Sequence, residues 1–151
     1  MTDALLDTLS FTTAKSHLSD VMTGVVHRHE LKIVGRHNGK EQMLLVSRDD
    51  QLGLLDATRF EPVVAVCEGE FVIELPELNL ISAGETFDDA LTELVELASA
   101  YAEQYLRRRS FYAQTEQRSQ LPWVLKIALS RGDERRGLFT QPPARVEPFA
   151  G

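Results

Sequence analysis

The feature that most constrains this chain is an amphipathic segment followed at once by a tight hairpin. Apolar residues at helical spacing predict a helix over about residues 13–28 with one core-facing side. The pair Asn38-Gly39 predicts a two-residue type I′ turn, because both central positions of that turn need positive φ. This turn would join strands at residues 31–34 and 43–46. The residues expected on the buried side of the helix are Ala14, Leu18, Val21, Met22 and Val25.

The start of this helix carries polar side chains that suit DNA. Thr12 or Thr13 is expected to cap it, which leaves Lys15, Ser16 and His17 in the first exposed turn. Free backbone N–H groups and the helix dipole favour phosphate at such a position. An ordinary amphipathic helix with a polar first turn is the alternative interpretation.

Charge is distributed unevenly along the 151 residues, whose net charge is −7. Residues 10–40 contain five Lys or Arg residues, two acidic residues and all four histidines. Residues 59–106 contain one basic residue and eleven acidic ones. We therefore expect a locally basic first part and an acidic middle that complements a basic partner, such as an RNA-binding toxin. A solvated acidic helix face explains some of these carboxylates equally well.

Hydropathy and cysteine usage predict a cytoplasmic globular protein with no membrane contact. The longest apolar runs are too short to span a bilayer, and the first residues do not have the pattern of a signal peptide. Cys67 is the single cysteine, so an internal disulfide is impossible. Its apolar neighbours favour a buried, structural thiol.

Residues 9–56 resemble the Phd/YefM antitoxins. The resemblance rests on the order strand, helix, strand, strand, short helix, on residues 11–18, and on the basic hairpin at residues 35–40. It implies a homodimer that binds a palindromic operator and represses its own toxin–antitoxin operon. His17 stands where the family often has Asn, and imidazole cannot reproduce the bidentate pairing of an amide with adenine. The DNA contacts that the resemblance implies are Thr13, Lys15, Ser16 and His17, with Arg36 and His37 as helpers.

Residues 63–106 resemble the HicB antitoxin domain. Two strands around Glu68-Gly69-Glu70 and a third at residues 81–83 lead to a long helix with Thr86 as its expected cap. The resemblance rests on the Leu-Pro-Glu-Leu and Gly-Glu-Thr segments at residues 75–78 and 84–86. It implies a partial RNase H-like fold that covers a small toxin.

The last part of the chain is expected to contact the partner. Residues 113–120 are polar and indicate a linker, and residues 121–129 predict an apolar helix with Pro122 near its start. This helix either folds back on the preceding module or binds the toxin. Residues 141–151 indicate an extended tail. The predicted toxin contacts are Trp123, Leu125, Ile127 and Leu129.

Catalytic motifs are missing from the sequence, so we predict that the protein is not an enzyme and has no catalytic residues, metal or cofactor. His27 and His29 could share one face of an extended segment, but further ligands are not suitably spaced. RNase H-like nucleases hold two metal ions with carboxylates, although a helix start or strand alternation also explains such residues here. The carboxylates that could form such a site are Glu74, Glu77, Glu85, Asp88 and Asp89.

The sequence thus predicts an α+β protein: a Phd/YefM-like dimerisation and DNA-binding domain (1–58), a small HicB-like α/β module (59–113), and a linker, short apolar helix and extended tail (114–151). The predicted function is a type II antitoxin that neutralises a small basic RNase-type toxin by direct binding. As a homodimer it would also bind operator DNA and autorepress its operon. The alternatives are a stand-alone repressor without a toxin and a metal-dependent RNase H-like nuclease.

Overall fold

The computed structural model describes residues 5–140. The chain folds into two compact units, Met1–Leu54 and Leu55–Gly151. Both units combine helices with a three-stranded sheet, so the fold is mixed α+β. The predicted tail at residues 141–151 lies outside the described residues. Within residues 5–140, every helix is too short or too polar to cross a membrane.

The first unit is a strand–helix–helix–hairpin arrangement followed by a short helix. Strand β1 runs parallel to β2, because the chain crosses over through two helices between them, and β2 runs antiparallel to β3. Val34 at the centre of β2 pairs with Leu9 on one side and Met43 on the other, and it is buried. The elements are β1 Asp7–Ser10, α1 Phe11–Ser16, α2 Leu18–His27, β2 Lys32–Arg36, β3 Glu41–Leu45 and α3 Arg48–Leu54.

The predicted single helix is two helices with a break at His17, whose φ and ψ are −121° and 29°. The predicted cap at Thr12 or Thr13 is wrong: Ser10 is the N-cap, and its hydroxyl oxygen accepts the Thr13 N–H at 3.1 Å. Helix α1 therefore begins earlier in the chain, and Lys15 lies in its last turn. The cap was misplaced because three hydroxyl residues lie close together in the sequence.

The buried side of the helix pair is narrower than predicted. Ala14, Val21 and Val25 are buried, as expected. Leu18 and Met22 are 61% and 65% exposed, so their assignment to the core is wrong for the single chain. With Val26, which is also exposed, they follow the spacing i, i+4, i+8 along α2 and form a separate apolar surface, here called the α2 stripe.

The hairpin turn is confirmed. Asn38 and Gly39 have φ values of 57° and 79°, and the Lys40 N–H donates to the His37 carbonyl at 3.2 Å. These are the features of a type I′ turn. His37 also has positive φ, which turns the chain sharply directly after β2.

The second unit packs a long helix on an antiparallel sheet with the order β4-β5-β6. Thr86 caps the long helix as predicted, accepting the Asp89 N–H at 3.1 Å. Gly84 is needed before it, because a Cβ there would lie 2.5 Å from the Ala90 nitrogen. The elements are β4 Val63–Cys67, β5 Glu70–Leu75, β6 Leu80–Gly84, α4 Phe87–Arg107, α5 Arg109–Tyr112, α6 Leu121–Leu129 and α7 Asp133–Gly137, with 3₁₀ turns at Pro76–Leu78 and Glu116–Gln120.

Helix α6 folds back onto this unit in the single chain, as one of the two predicted alternatives has it. Val124 and Ile127 are almost fully buried beside α4 in the core of the second unit. The preceding segment is also fixed to α4, since the Tyr105 hydroxyl donates to the Gln117 carbonyl at 2.7 Å and the Tyr101 hydroxyl donates to Gln120. The segment at 113–120 is therefore a packed connection, whereas its polar composition indicated a linker.

Two arginines near the end of the described chain fix α7 in place. The guanidinium of Arg135 donates to the Ile127 and Ser130 carbonyls and to the Ser99 hydroxyl, over 2.8–3.1 Å. Arg136 forms an ion pair with Asp88. The sequence indicated only a basic turn here, because the partners lie far away along the chain.

Candidate nucleic-acid interface

The junction of α1 and α2 presents the polar residues that the sequence assigned to DNA. The Ser16 hydroxyl donates to the Thr12 carbonyl at 2.9 Å, and Nδ1 of His17 lies 3.2 Å from the Thr13 carbonyl. Thr13 accepts the Ser10 hydroxyl hydrogen at 2.9 Å. These bonds keep the polar side chains close to their own helix, and all of these residues except Lys15 are oriented by a bond of this kind.

His17 retains one ring nitrogen for a ligand. A bond from Nδ1–H to the Thr13 carbonyl places the proton on Nδ1, so Nε2 of the neutral ring is an acceptor. Such a nitrogen can accept one hydrogen bond from a base amino group, and a protonated ring can instead donate to phosphate. His17 can therefore make a single contact, where an amide side chain would make two.

Lys15 is exposed and forms no ion pair within residues 5–140. It lies three residues before Leu18, the first residue of the α2 stripe. Because its charge is not neutralised by a neighbouring carboxylate, Lys15 is the strongest candidate for a phosphate contact among the six predicted DNA residues.

The hairpin tip provides a second group of polar side chains. Arg36 is paired with Glu41, the residue opposite it in the β2–β3 register, so part of its charge is used within the hairpin. His37 is exposed at the turn, and Lys40 follows with no ion pair in the described part of the chain. The DNA contacts that the family resemblance implies do not include Lys40, although it lies on the same basic hairpin tip as Arg36 and His37.

An open groove connects the hairpin with the start of α1. The residues that line it come from both elements, and the polar ones include Ser10, Thr12, Arg36 and His37. Thr13, Lys15, Ser16 and His17 do not line this groove. The structure therefore brings Arg36 and His37 together with the first residues of α1, and places the other four predicted residues along the helix outside the groove.

In the folded chain, ion pairs with nearby carboxylates neutralise part of the positive charge of residues 10–40. Glu30 lies 2.9 Å from Arg28 and 3.2 Å from Lys32, and these two cations lower the pKa of its carboxyl group, chiefly through the bond from Arg28. Lys32 also lies 3.8 Å from Asp7. Acidic residues both within and outside residues 10–40 thus pair with cations of this segment. Of its positive charges, those without such a partner among residues 5–140 are mainly Lys15 and Lys40.

Of the two histidines considered for a metal site, His29 contacts a carboxylate of its own unit. Nδ1 of His29 lies 3.1 Å from both carboxylate oxygens of Asp50. Within residues 5–140, no group of three His, Cys, Asp or Glu side chains is arranged to hold a metal ion.

Two of the carboxylates considered for a nuclease site, Glu77 and Asp88, bond to other residues of the second unit. Asp88 pairs with Arg136, and Asp89 follows the Thr86 cap at the start of α4. Glu77 accepts the Glu61 N–H at 2.6 Å. Glu74 lies on β5 opposite Ile81 and is exposed.

The predicted toxin contacts on α6 are mostly covered by their own unit. Ile127 is 1% exposed and cannot meet a partner without unfolding. Trp123, Leu125 and Leu129 are half-buried, and Trp123 packs against the core. The buried part of these apolar side chains helps to hold α6 on the second unit.

A protein-family comparison covers nearly the whole chain. Residues 5–138 match the family described as PHD-like, antitoxins of RelE/RelB toxin–antitoxin systems. The chain belongs to this antitoxin family. The matched residues run through both units of the antitoxin, and membership implies a cognate toxin as its partner. No curated protein sequence matches the antitoxin significantly.

A solved structure shares the fold of the antitoxin. It is a crystal structure described as the antitoxin part of a candidate toxin/antitoxin system from Syntrophomonas wolfei subsp. wolfei. The two superpose with a TM-score of 0.79 over 89% of this chain and 96% of that one, at 21% identity. The likeness supports the mixed α+β architecture.

Proposed function

We propose that this antitoxin is a homodimeric autorepressor that neutralises its toxin by direct binding. The first unit, with its Phd/YefM-like order of elements, binds operator DNA, and the second, HicB-like unit covers the toxin. The predicted contacts Thr13, Ser16, His17, Arg36 and His37 belong to the DNA interface together with Lys15.

The observation that carries the DNA-binding part is that Lys15 is exposed and forms no ion pair with any residue of the range 5–140, three positions before the α2 stripe begins. An apolar surface of this kind on a helix favours association with an identical surface around a twofold axis. A twofold axis through the stripe would relate two equivalent copies of Lys15 and His17. Two equivalent helix junctions could then contact two half-sites of a palindromic operator.

The acidic second unit supports the toxin-binding part of the proposal. Residues 60–106 contain acidic residues and no Lys or Arg. Toxins that act on RNA need a positively charged surface, which an acidic protein can cover with favourable electrostatics. A small basic RNase-type toxin is therefore the proposed partner.

The test of DNA binding is Lys15→Ala, measured by fluorescence anisotropy with the DNA upstream of the antitoxin gene across a salt series. We expect weaker binding and a shallower salt dependence, by about 0.9 in log–log slope for each phosphate contact that is lost. Arg131→Ala is the matched control, since it removes an exposed positive charge from the second unit. Identical affinities and slopes for Lys15→Ala and the unmodified antitoxin would show that Lys15 does not contact DNA.

A further inference from the structure

Strand β4 has an unusual surface for the edge of a sheet. All five of its residues, Val63–Cys67, are exposed, with Val64 at 48% and Val66 at 66%. The expectation that Cys67 is a buried thiol is therefore wrong. The apolar sequence predicted burial, but a strand at an edge is buried only if another element covers it.

Among residues 5–140, no strand pairs with the backbone groups on the outer side of β4. Its inner side pairs with β5 over the register from Val63↔Glu74 to Cys67↔Glu70, and β5 is its one strand neighbour in the sheet that the described residues form. Edge strands that must stay free commonly carry charged side chains, proline or a bulge. Val63–Cys67 has no charged residue and no proline, and its pairing with β5 runs without interruption.

The ends of β4 are acidic. Glu61 precedes the strand, Glu68 lies in the turn after it, and Glu70 and Glu74 occupy the neighbouring strand opposite Cys67 and Val63. All four are exposed. A second copy paired edge to edge would bring the carboxylates of the two copies close together, which is unfavourable, whereas a strand flanked by Lys or Arg would be attracted.

We propose that β4 binds an extended, apolar segment of the cognate toxin with basic residues at its ends, which adds a fourth strand to the second sheet. This inference rests on the proposed function, because it specifies where the toxin binds. Main-chain hydrogen bonds to β4 supply the affinity, and alternate side chains of the toxin segment pack against Val64 and Val66. The flanking glutamates select a basic segment and set its register.

The test replaces Val64 and Val66 with lysine in the full-length antitoxin. Both side chains are exposed, so the double variant Val64→Lys/Val66→Lys should fold, which its melting curve and far-ultraviolet circular dichroism will establish. Ile81→Lys is the matched control, since Ile81 is 62% exposed on β6, at the opposite edge of the same sheet. The probe is the purified product of the reading frame adjacent to the antitoxin gene.

We expect the double variant to bind this probe at least tenfold more weakly than the unmodified antitoxin does, and Ile81→Lys to bind within twofold of it. Hydrogen exchange should show the backbone amides of β4 protected in the complex formed by the unmodified antitoxin. Binding should also weaken as salt increases, because the flanking charges are exposed.

Three outcomes would overturn the inference. Equal binding by the double variant and the unmodified antitoxin would place the toxin elsewhere and leave the proposed function intact. A change in sedimentation of the double variant from dimer to monomer would show that β4 joins two antitoxin copies. If the unmodified antitoxin does not bind the probe at all, both the toxin-binding function and this inference fail.

Discussion

Lys126 is a charged residue inside the second unit, and carbonyl groups hold it there. Its Nζ donates to the Leu55 carbonyl at 3.1 Å and to the Thr58 carbonyl at 2.7 Å, and the residue is buried. Burial disfavours the charged form and lowers the pKa of this lysine, while Asp56 acts in the opposite direction. A lysine in an apolar helix is thus the link between α6 and the segment that begins this unit.

We predict that Lys126→Met lowers the free energy of unfolding by about 1–3 kcal/mol, because two carbonyls lose their donor. The folded pKa lies below the value near 10.4 of an unfolded lysine, so between these two values the unfolded chain binds more protons. The stability of the unmodified protein should therefore rise with pH across this window, relative to Lys126→Met. Urea titrations at several pH values measure both effects.

Lys40→Met is the control for this prediction, since Lys40 is exposed on a turn of the first unit. It should change the free energy of unfolding by less than about 0.5 kcal/mol. If Lys126→Met were as stable as the unmodified protein at all pH values, the two carbonyl bonds would not contribute to folding.

At the scale of elements, the α2 stripe is the clearest case of a surface whose role depends on association. Leu18, Met22 and Val26 are apolar, exposed and aligned along one helix. In a single chain they would remain in contact with water, at a cost of about 25 cal/mol for each Å² of apolar surface left uncovered. A symmetric pairing of two stripes would bury them.

We predict that Met22→Lys converts the antitoxin from a dimer to a monomer, because it would place two buried ammonium groups in the pairing surface. Light scattering after size-exclusion chromatography measures the change. Operator affinity should fall with it, since one chain can no longer contact two half-sites together. Leu54→Lys is the matched control: Leu54 is 70% exposed on α3 of the same unit, and this variant should stay dimeric. A dimeric Met22→Lys would exclude the α2 stripe as the interface.

At the scale of the whole molecule, the two units differ in the size of their cores. Within the described residues, the buried apolar side chains of the first unit are Ala14, Val21, Val25 and Val34. The second unit buries a larger set, which includes the aromatic residues Phe60, Tyr105, Tyr112 and Phe139. A small core makes the first unit dependent on association for stability, because its buried apolar area is limited.

We predict two calorimetric transitions for the full-length antitoxin, with the first unit unfolding at the lower temperature. This transition should move up with protein concentration, because dimerisation stabilises the first unit, and a DNA concentration of 100 times Kd should add about 2.7 kcal/mol. The transition of the second unit should respond to neither. A single transition that shifts as a whole would show that the units unfold together.

Much of the local structure was predictable because short-range interactions determine it. The order of strands and helices, the Asn38-Gly39 turn and the Thr86 cap depend on residues within a few positions of each other. The same holds for the second hairpin, where Glu68 and Gly69 adopt the positive φ values of a tight turn. Antitoxin membership was also accessible, because the pattern of elements and motifs resembles known antitoxins.

The sequence by itself therefore determined the order of the secondary-structure elements, the uneven distribution of charge along the chain and the antitoxin class. Only the tertiary structure decided that Ile127 is buried while Cys67 and Met22 are exposed, because burial depends on which distant element packs against a residue. It also decided that Lys15 has no ion pair within residues 5–140, whereas Asp7 on β1 comes within 3.8 Å of Lys32. Local preference sets the conformation of a segment, and long-range contacts set which of its side chains remain available to DNA or to a toxin.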